Sequence, residues 1–208
     1  RTMSILRSMN ILLASNNTHK KEEFARILTS HTIMLPSELN LSYDFEEDKE
    51  TFTENALGKA RALQAIAPEG YLVLADDSGL CIDALDGSPG VRTARYGMEE
   101  HGRMLKSTER NEWLLKNLSH LEKAEERSAR FVCALALIAA PHRIFTLCES
   151  VEGYIALKSY GKGGFGYDPV FVVKEAGKTM AELSEQEKDR LSHRGRATRH
   201  LITLLGEL

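Results

Sequence analysis

The hydrophobic and polar positions of this chain fall into blocks that have the lengths of strands and helices. Short, nearly continuous apolar runs predict buried strands at residues 10–14, 71–75 and 130–140. Apolar positions three and four residues apart predict amphipathic helices over residues 18–28 and 51–66. A short turn joins the third of these strands to another, which indicates an antiparallel pair. We therefore expect an α/β fold in which helices flank a central mixed β-sheet.

A glycine-rich loop precedes a further predicted strand at residues 170–173. Residues 161–171 have the sequence Gly-Lys-Gly-Gly-Phe-Gly-Tyr-Asp-Pro-Val-Phe. The glycines let the backbone come close to a bulky ligand, and aromatic residues inside such a run, Phe165 and Tyr167, are not expected to be ordinary core residues. With Asp168 they would suit a planar ligand. The alternative is a plain connection whose aromatic side chains fold back on the core.

Cationic side chains crowd two predicted helix starts. Residues 19–21 (His-Lys-Lys) lie in the first turn of the helix at residues 18–28, and residues 193–194 (His-Arg) open the last predicted helix. A helix N-terminus already carries partial positive charge and disfavours cations, so a bound anion would resolve both conflicts. For the first helix, the alternative is a set of solvated lysines paired with Glu22 and Glu23.

Acidic residues form two clusters beside predicted elements. Residues 46–48 are Glu-Glu-Asp, and Asp76 and Asp77 follow the strand at residues 71–75 in a predicted turn. Ligands of α/β sheets collect at the carboxyl ends of strands, and carboxylates suit Mg²⁺. Neighbouring residues of an extended chain point to opposite faces, so one aspartate is expected to bind the metal directly. Lys59 is expected to point back toward the acids. The alternative for residues 46–48 is a solvated acidic face, and the alternative for Asp76 and Asp77 is a turn that the aspartates cap.

The composition matters mainly because it excludes partners. The chain has 208 residues and a formal net charge of −3, which suggests no broad affinity for nucleic acid or anionic membranes. No apolar run approaches the roughly 20 residues of a membrane span. Three cysteines without a CxxC pair, Cys81, Cys133 and Cys148, favour buried thiols in a reducing compartment, so we expect a cytoplasmic protein.

Together these features point to one class of ligand. A nucleotide has phosphates for the two anion sites, binds Mg²⁺, and offers a planar base to the glycine loop. The GxxxxGK[ST] pattern is absent, so this is not a P-loop protein. The glycine run precedes a strand, whereas the GxGxxG dinucleotide fingerprint opens a helix. The residues by themselves therefore predict a metal-dependent nucleotide-binding enzyme.

Six stretches of the chain resemble the inosine triphosphate pyrophosphatase family, and they follow the family's order from about Met9 onward. Together they are highly specific to that family. They are residues 13–20 (Leu-Ala-Ser-Asn-Asn-Thr-His-Lys), residues 52–56 (Phe-Thr-Glu-Asn-Ala) with Lys59, residues 76–80 (Asp-Asp-Ser-Gly-Leu), residues 87–90 (Gly-Ser-Pro-Gly) with 94–96 (Ala-Arg-Tyr), residues 163–171, and residues 192–195 (Ser-His-Arg-Gly).

The resemblance implies an activity and an architecture. The protein would split nucleoside triphosphates of non-standard purines (ITP, dITP and XTP) into the monophosphate and pyrophosphate, by Mg²⁺-assisted attack of water at the α-phosphorus. It would be a homodimer of elongated, two-lobed domains with the active site in the cleft between the lobes. That domain would span residues 9–208, and residues 1–8 would be an N-terminal extension or a cloning remnant. No nucleic-acid or membrane partner is expected.

The resemblance also assigns roles to individual residues. The metal ligands would be Glu47 and Asp77, and the catalytic residues would be Asp77, Lys20 and Lys59, with Asp77 acting as base or orienting the water. Phe165 would stack on the base. The substrate-binding residues would be Ser15, Asn16, Asn17, Thr18, His19, Lys20, Ser78, Phe165, Gly166, Tyr167, Asp168, Lys188, His193 and Arg194. Of these, Asp168, Lys188, His193 and Arg194 would contact the polar edge of the base.

Two other functions fit the same residues. One is a pyrophosphatase with a different substrate range, such as modified pyrimidine or standard nucleoside triphosphates. The other is a nucleotide-binding sensor module without turnover. The intact acid set of Glu47, Asp76 and Asp77 favours the enzyme over the sensor.

Overall fold

The computed structural model describes residues 8–208, so most of the predicted extension at residues 1–8 lies outside the described residues. Helices and strands alternate along much of this range. The helices are α1 (Thr18–Ile27), α2 (Phe52–Gln64), α3 (Met98–His101), α4 (Ser107–Asn117), α5 (Glu185–Leu191) and α6 (His193–Leu205). The strands are β1 (Asn10–Leu13), β2 (Thr32–Met34), β3 (Tyr71–Ile82), β4 (Ser128–Ala140), β5 (Arg143–Ile155), β6 (Phe171–Val173) and β7 (Lys178–Thr179).

The strands form one mixed sheet in the order β2-β1-β3-β4-β5-β6-β7. β1 pairs in parallel with β2 and β3, with Leu12 opposite Met34 on one side and Val73 on the other. β6 pairs antiparallel with β5 and β7. The predicted α/β class with a mixed sheet is therefore confirmed.

Local side-chain caps explain where several helices begin. The Asn17 side chain accepts hydrogen bonds from two backbone N–H groups at the start of α1, and the Thr51 side chain accepts one, from Glu54 N, at the start of α2. Ser184 and Glu187 form the reciprocal capping box that opens α5. These caps satisfy N–H groups that have no partner inside the helix.

The chain divides into two compact units. Unit 1 comprises the described residues up to Asp77 together with Cys133–Glu149 and Arg194–Leu208, and unit 2 comprises Ser78–Val132 and Ser150–His193. In unit 1, side chains of β1 alternate between two cores. Ile11 and Leu13 pack in the core that contains Phe24 of α1, whereas Leu12 packs in the core that contains residues of α2.

Unit 2 has one core of its own, built from the apolar faces of its strands and of α4. Phe131 of β4 packs edge-to-face on Phe171 of β6, with 4.7 Å between ring centroids. Leu114 and Leu118 are buried in the same core. The glycine loop contributes to it as well, because Tyr167 and Val170 are fully enclosed.

Two expectations about strands and thiols were wrong. β3 does not end before Asp76 but continues through both aspartates to Ile82, because cationic side chains compensate their charge. The cysteines are not all buried, since Cys148 is exposed and Cys81 is only partly covered. β5, which carries Cys148, has exposed residues along much of its length, so an apolar neighbourhood in sequence did not imply burial.

Within residues 8–208, none of the helices combines the length and apolar character needed to cross a bilayer.

Candidate active site

Adjacent aspartates in the middle of β3 contact different partners in unit 1. Asp76 accepts hydrogen bonds from Lys20 Nζ at 2.5 Å and from Arg194 Nε at 2.8 Å. Burial alone would raise the pKa of Asp76, but the charges of Arg194 and Lys20 more than offset it and hold that pKa well below its usual value. Asp76 is therefore a fixed anion that holds two cations in place.

Asp77 belongs to a separate arrangement around Lys59 of α2. Lys59 Nζ lies 2.8 Å from Asp77 Oδ1 and also forms an ion pair with Glu47 Oε1. Burial raises the pKa of Asp77 above its ordinary value even though Lys59 lowers it. Burial lowers the pKa of Lys59, but Asp77 and Glu47 outweigh that effect and raise it. The expectation that Lys59 points back toward the acids agrees with this geometry.

The Asp77–Glu47 pair fits a hard divalent cation. Asp77 Oδ2 is buried and has no hydrogen-bond partner among the described residues, so it keeps an acceptor for a further ligand. Both side chains already face one cation, the Lys59 ammonium. Within residues 8–208, no three His, Cys, Asp or Glu side chains come together as a metal site. Mg²⁺ commonly takes only one or two carboxylates and completes its shell with water and phosphate oxygens, so two suffice.

The turn between β1 and α1 presents polar groups along its length. Asn17 Oδ1 accepts from His19 N at 2.9 Å and from Lys20 N at 3.3 Å, and Ser15 Oγ accepts from Asn17 N at 3.0 Å. Asn16, exposed, donates to the carbonyl of Tyr43 at 3.1 Å. Thr18 and His19 are exposed as well. The predicted phosphate-binding residues thus form one local polar turn.

The two lysines of this first helical turn are paired with acids from distant elements. Lys20 pairs with Asp76, and Lys21 Nζ lies 2.6 Å from Glu38 Oε1. His19 lies 3.7 Å from Glu22. The alternative of solvated lysines that pair with Glu22 and Glu23 is therefore wrong for both lysines. The carboxylates of Asp76 and Glu38 therefore compensate the positive charge of the two lysines at this helix start.

In unit 2, the glycine loop is built around Asp168. Asp168 Oδ2 accepts from the backbone N–H of Phe165 and from Lys188 Nζ, each at 2.8 Å. The Lys188 ammonium lies 5.0 Å from the centre of the Phe165 ring. A Cβ on Gly164 would lie 1.9 Å from Asp168 Oδ2, and Gly164 has φ of +70°, so the loop requires glycine there.

One aromatic residue of this loop contradicts the sequence-based expectation. Tyr167 is 2% exposed in the core of unit 2, and its hydroxyl donates to the carbonyl of Thr93 at 3.0 Å. Its ring is large and apolar, and its hydroxyl finds a buried partner, so the core retains it. Phe165, by contrast, is only partly buried, as a stacking residue requires. The glycine run therefore carries one core residue and one accessible ring.

The remaining predicted site residues lie within β3 and at the start of α6. Ser78 is a partly buried residue of β3. His193, at the start of α6, stacks on Phe131 of β4 with 4.7 Å between ring centroids and 11° between planes. Arg194 is buried in unit 1, where its Nη1 donates to Glu23 Oε2 at 2.5 Å in addition to its bonds with Asp76. The prediction that it contacts the base remains a prediction.

Sequence reasoning missed two buried contributors to unit 1. Glu23 entered only the alternative interpretation, as a partner of solvated lysines, yet it is 5% exposed and pairs with Arg194, 171 positions away. Cys133 of β4 donates from Sγ to Asp76 Oδ2 at 3.3 Å. Nothing local in the sequence signals either contact, because both depend on which elements pack together.

The fold and these residues define an α/β protein in which one unit gathers lysines and carboxylates and the other holds an accessible aromatic ring beside a buried lysine. The model of the Ham1 family matches residues 11–204, and the chain belongs to this family.

Individual relatives agree with that assignment. A dITP/XTP pyrophosphatase from Treponema denticola is 46% identical over 189 residues, which cover 91% of this chain and 94% of the relative. The structure of a HAM1 protein from Coxiella burnetii has a TM-score of 0.81 at 39% identity and covers 96% of this chain and 100% of that chain. The Staphylococcus aureus Ham1 protein gives 0.78 at 38% identity, with the same coverage. The resemblance stated from the sequence motifs is thereby confirmed.

Proposed function

We propose that this protein hydrolyses ITP, dITP and XTP to the nucleoside monophosphate and pyrophosphate, with water attacking the α-phosphorus. Its family membership and the dITP/XTP pyrophosphatase activity named for its relative support this assignment. The observation that carries it is the buried Asp77 carboxylate, which faces Lys59 and keeps one oxygen without a hydrogen-bond partner among the described residues.

The residues of unit 1 supply charge and a proton acceptor. Lys20, held by Asp76, would donate to the phosphates together with the polar turn of residues 15–19. Burial raises the pKa of Asp77, which makes it a better acceptor for the proton of the attacking water than an ordinary carboxylate. Glu47 and Asp77 would hold Mg²⁺. When bound, Mg²⁺ would neutralise charge on the phosphates and favour departure of pyrophosphate.

The residues of unit 2 supply selectivity for the base. The Phe165 ring would stack on the purine, and the Lys188 ammonium beside it would donate to a carbonyl. Hypoxanthine and xanthine carry a carbonyl at position 6, where adenine carries an amine. A buried donor left unpaired against the amine costs about 1–3 kcal/mol. A few such donors would therefore favour hypoxanthine and xanthine over adenine. Asp168 and His193 would complete the contacts with the polar edge.

Product analysis in ¹⁸O-labelled water tests the reaction. With ITP and Mg²⁺, the protein should release IMP and pyrophosphate, and the label should enter IMP because water attacks the α-phosphorus. Label in pyrophosphate would show attack at the β-phosphorus, and formation of IDP with phosphate would show attack at the γ-phosphorus. Either result contradicts the proposal.

A substrate panel separates the remaining alternatives. Comparison of kcat/KM for ITP, dITP, XTP, GTP, ATP and dUTP should favour the first three. A preference for dUTP or for standard triphosphates would indicate a pyrophosphatase of another range. If ITP binds in calorimetry but no IMP forms at saturating Mg²⁺, the protein is a nucleotide-binding sensor without turnover.

We also propose a single catalytic domain over residues 9–208, a homodimer in solution and a cytoplasmic location. In the part of the chain that the structure describes, all three cysteines are free thiols, which supports a reducing compartment. Sedimentation equilibrium should give twice the chain mass of 23.2 kDa, and a monomer at micromolar concentration would contradict the dimer.

A further inference from the structure

A buried asparagine on α4 contacts the glycine loop of unit 2. Asn111 is 4% exposed, and its Nδ2 donates to the carbonyl oxygen of Gly166 at 3.1 Å. Gly166 has φ of +62°, so the backbone turns sharply at this residue. The contact therefore holds the peptide group that follows Gly166, one residue beyond Phe165.

Phe165 is thereby flanked by two polar anchors. On its N-terminal side, the backbone N–H donates to Asp168 Oδ2 at 2.8 Å. On its C-terminal side, Asn111 fixes the carbonyl of Gly166. Gly166 itself does little to fix the backbone here. Glycine has no side chain to limit its φ and ψ angles, and a Cβ at this position would meet no atom within 4 Å. Asn111 therefore limits the freedom of this peptide group from outside the loop, in addition to the burial of Tyr167 within it.

The other end of the Asn111 amide argues against a role in packing alone. Its Oδ1 is buried and has no hydrogen-bond partner among the described residues. A buried acceptor without a partner destabilises the fold, whereas an apolar side chain of similar volume would avoid this penalty. Leu114 fills a buried position on the same helix in that way. The bond to Gly166 is what the amide supplies and a leucine would not.

We propose that Asn111 is a positioning residue that sets the orientation of Phe165 and thereby the affinity of the protein for the purine base. This inference rests on the proposed function, in which Phe165 stacks on the base. Asn111 acts through the backbone of the loop and does not touch the substrate.

Two substitutions remove the contact by different means. Asn111→Leu removes both the donor and the unpaired acceptor, and Asn111→Asp keeps the shape but places a carboxylate oxygen against the Gly166 carbonyl. Asn117→Leu is the matched control, because Asn117 lies on the same helix and its Nδ2 donates at 2.8 Å to the Tyr96 hydroxyl, not to the loop.

Steady-state kinetics with ITP give the functional comparison. Asn111→Leu should raise KM for ITP about 10-fold, as expected for loss of one hydrogen bond that preorganises a binding loop, and leave kcat within about 2-fold. Inhibition by pyrophosphate, which would occupy the phosphate-binding residues of unit 1, should stay within about 2-fold of wild type. The melting temperature should stay the same or rise, because the unpaired acceptor is gone.

A purely structural role would give a different pattern. Asn111→Leu would then lower the melting temperature and weaken ITP and pyrophosphate together, and this result would overturn the proposal. An unchanged KM for ITP in a folded Asn111→Leu would overturn it as well. If Asn111→Leu does not fold, the KM for ITP, the inhibition by pyrophosphate and the melting temperature of Asn111→Asp test the proposal instead.

Hydrogen exchange of the unliganded protein tests the positioning without any assumption about catalysis. The Phe165 amide should exchange faster in Asn111→Leu than in wild type, and at the wild-type rate in Asn117→Leu. Equal rates in all three proteins would refute the positioning role. If wild type makes no IMP from ITP while this exchange difference is present, the proposed function fails and the structural part of the inference stands.

Discussion

The two sets of candidate residues bury ionisable groups in different ways. In unit 1, three cations lie among four carboxylates, a formal charge of −1, and the members of this set are Lys20, Lys59, Arg194, Glu23, Glu47, Asp76 and Asp77. In unit 2, one pair, Lys188 with Asp168, lies beside aromatic rings and backbone hydrogen bonds.

The difference suits two parts of a nucleotide. The charged residues of unit 1 have one more carboxylate than cations, which suits binding of a divalent cation. The lysines among them suit binding of a polyanion such as a triphosphate. A single ion pair beside an accessible ring suits a planar base that is held by stacking and by a few donors. Under the proposed function, charge would therefore dominate in one unit, and shape and hydrogen bonding would dominate in the other. Substitutions in the two units should have separable consequences.

The largest effect is expected from Asp77→Asn. Loss of the carboxylate removes the proposed proton acceptor, so turnover of ITP should fall about 10²–10⁴-fold. Nucleotide binding should largely survive, because the base-binding residues are untouched. Rapid-quench measurement of IMP, together with calorimetric titration of ITP, tests both parts. Near wild-type turnover would exclude the catalytic role of Asp77.

Arg194→Met should have the next largest effect, this time on stability. It breaks a buried network and leaves Glu23 without the Arg194 charge, so the free energy of unfolding should fall by about 3–5 kcal/mol. Urea denaturation followed by circular dichroism measures this loss. Arg92→Met is the control, since its pair with Glu99 is exposed and should contribute little. Equal losses in the two variants would mean that the network does not stabilise unit 1.

Phe165→Ala should separate binding of the base from the metal requirement. Base–aromatic stacking contributes about 1–3 kcal/mol, so KM for ITP should rise about 5–150-fold. The Mg²⁺ concentration for half-maximal activity should not change. Tyr160→Ala, which removes a more exposed ring of unit 2, should leave both quantities unaltered. A parallel shift in the Mg²⁺ requirement would contradict the separation of the two residue sets.

The smallest effect concerns acid pH. The folded-state pKa of Asp76 is lowered, so its contribution to stability is present above its unfolded pKa of about 3.9 and is lost as pH falls below that value. The folded-state pKa of Asp77 is raised, so its contribution has the opposite sign.

Urea unfolding between about pH 3 and 6 tests these signs, because the range brackets the unfolded pKa. Stability should fall less steeply with acidification in Asp76→Asn than in wild type, and more steeply in Asp77→Asn. Identical slopes for the two variants would show that the aspartates do not differ in environment.

Much of the local structure was predictable because its causes are local. Helical spacing placed α1 and α2 within a few residues of their observed bounds. Apolar runs located β1 and β4. Lys59 was expected to point toward the acids, because α2 directly follows the acidic cluster that contains Glu47.

The wrong predictions concern positions where residues distant in sequence decide whether a segment forms a strand or a turn, or whether a side chain is buried. Asp76 and Asp77 indicated a turn, but Lys20, Arg194 and Lys59 neutralise them and the strand continues. Tyr167 was expected outside the core because it follows a glycine, but the core of unit 2 buries its ring and Thr93 accepts its hydroxyl.

The sequence by itself determined the α/β class and the family, because motif spacing and hydrophobic periodicity act over a few residues. Only the tertiary structure decided which charges neutralise one another, which glycine-loop ring is accessible, and that Asn111 anchors the loop. The physical reason is that pairing and burial depend on contacts between residues tens of positions apart, and such contacts exist only once the elements have packed.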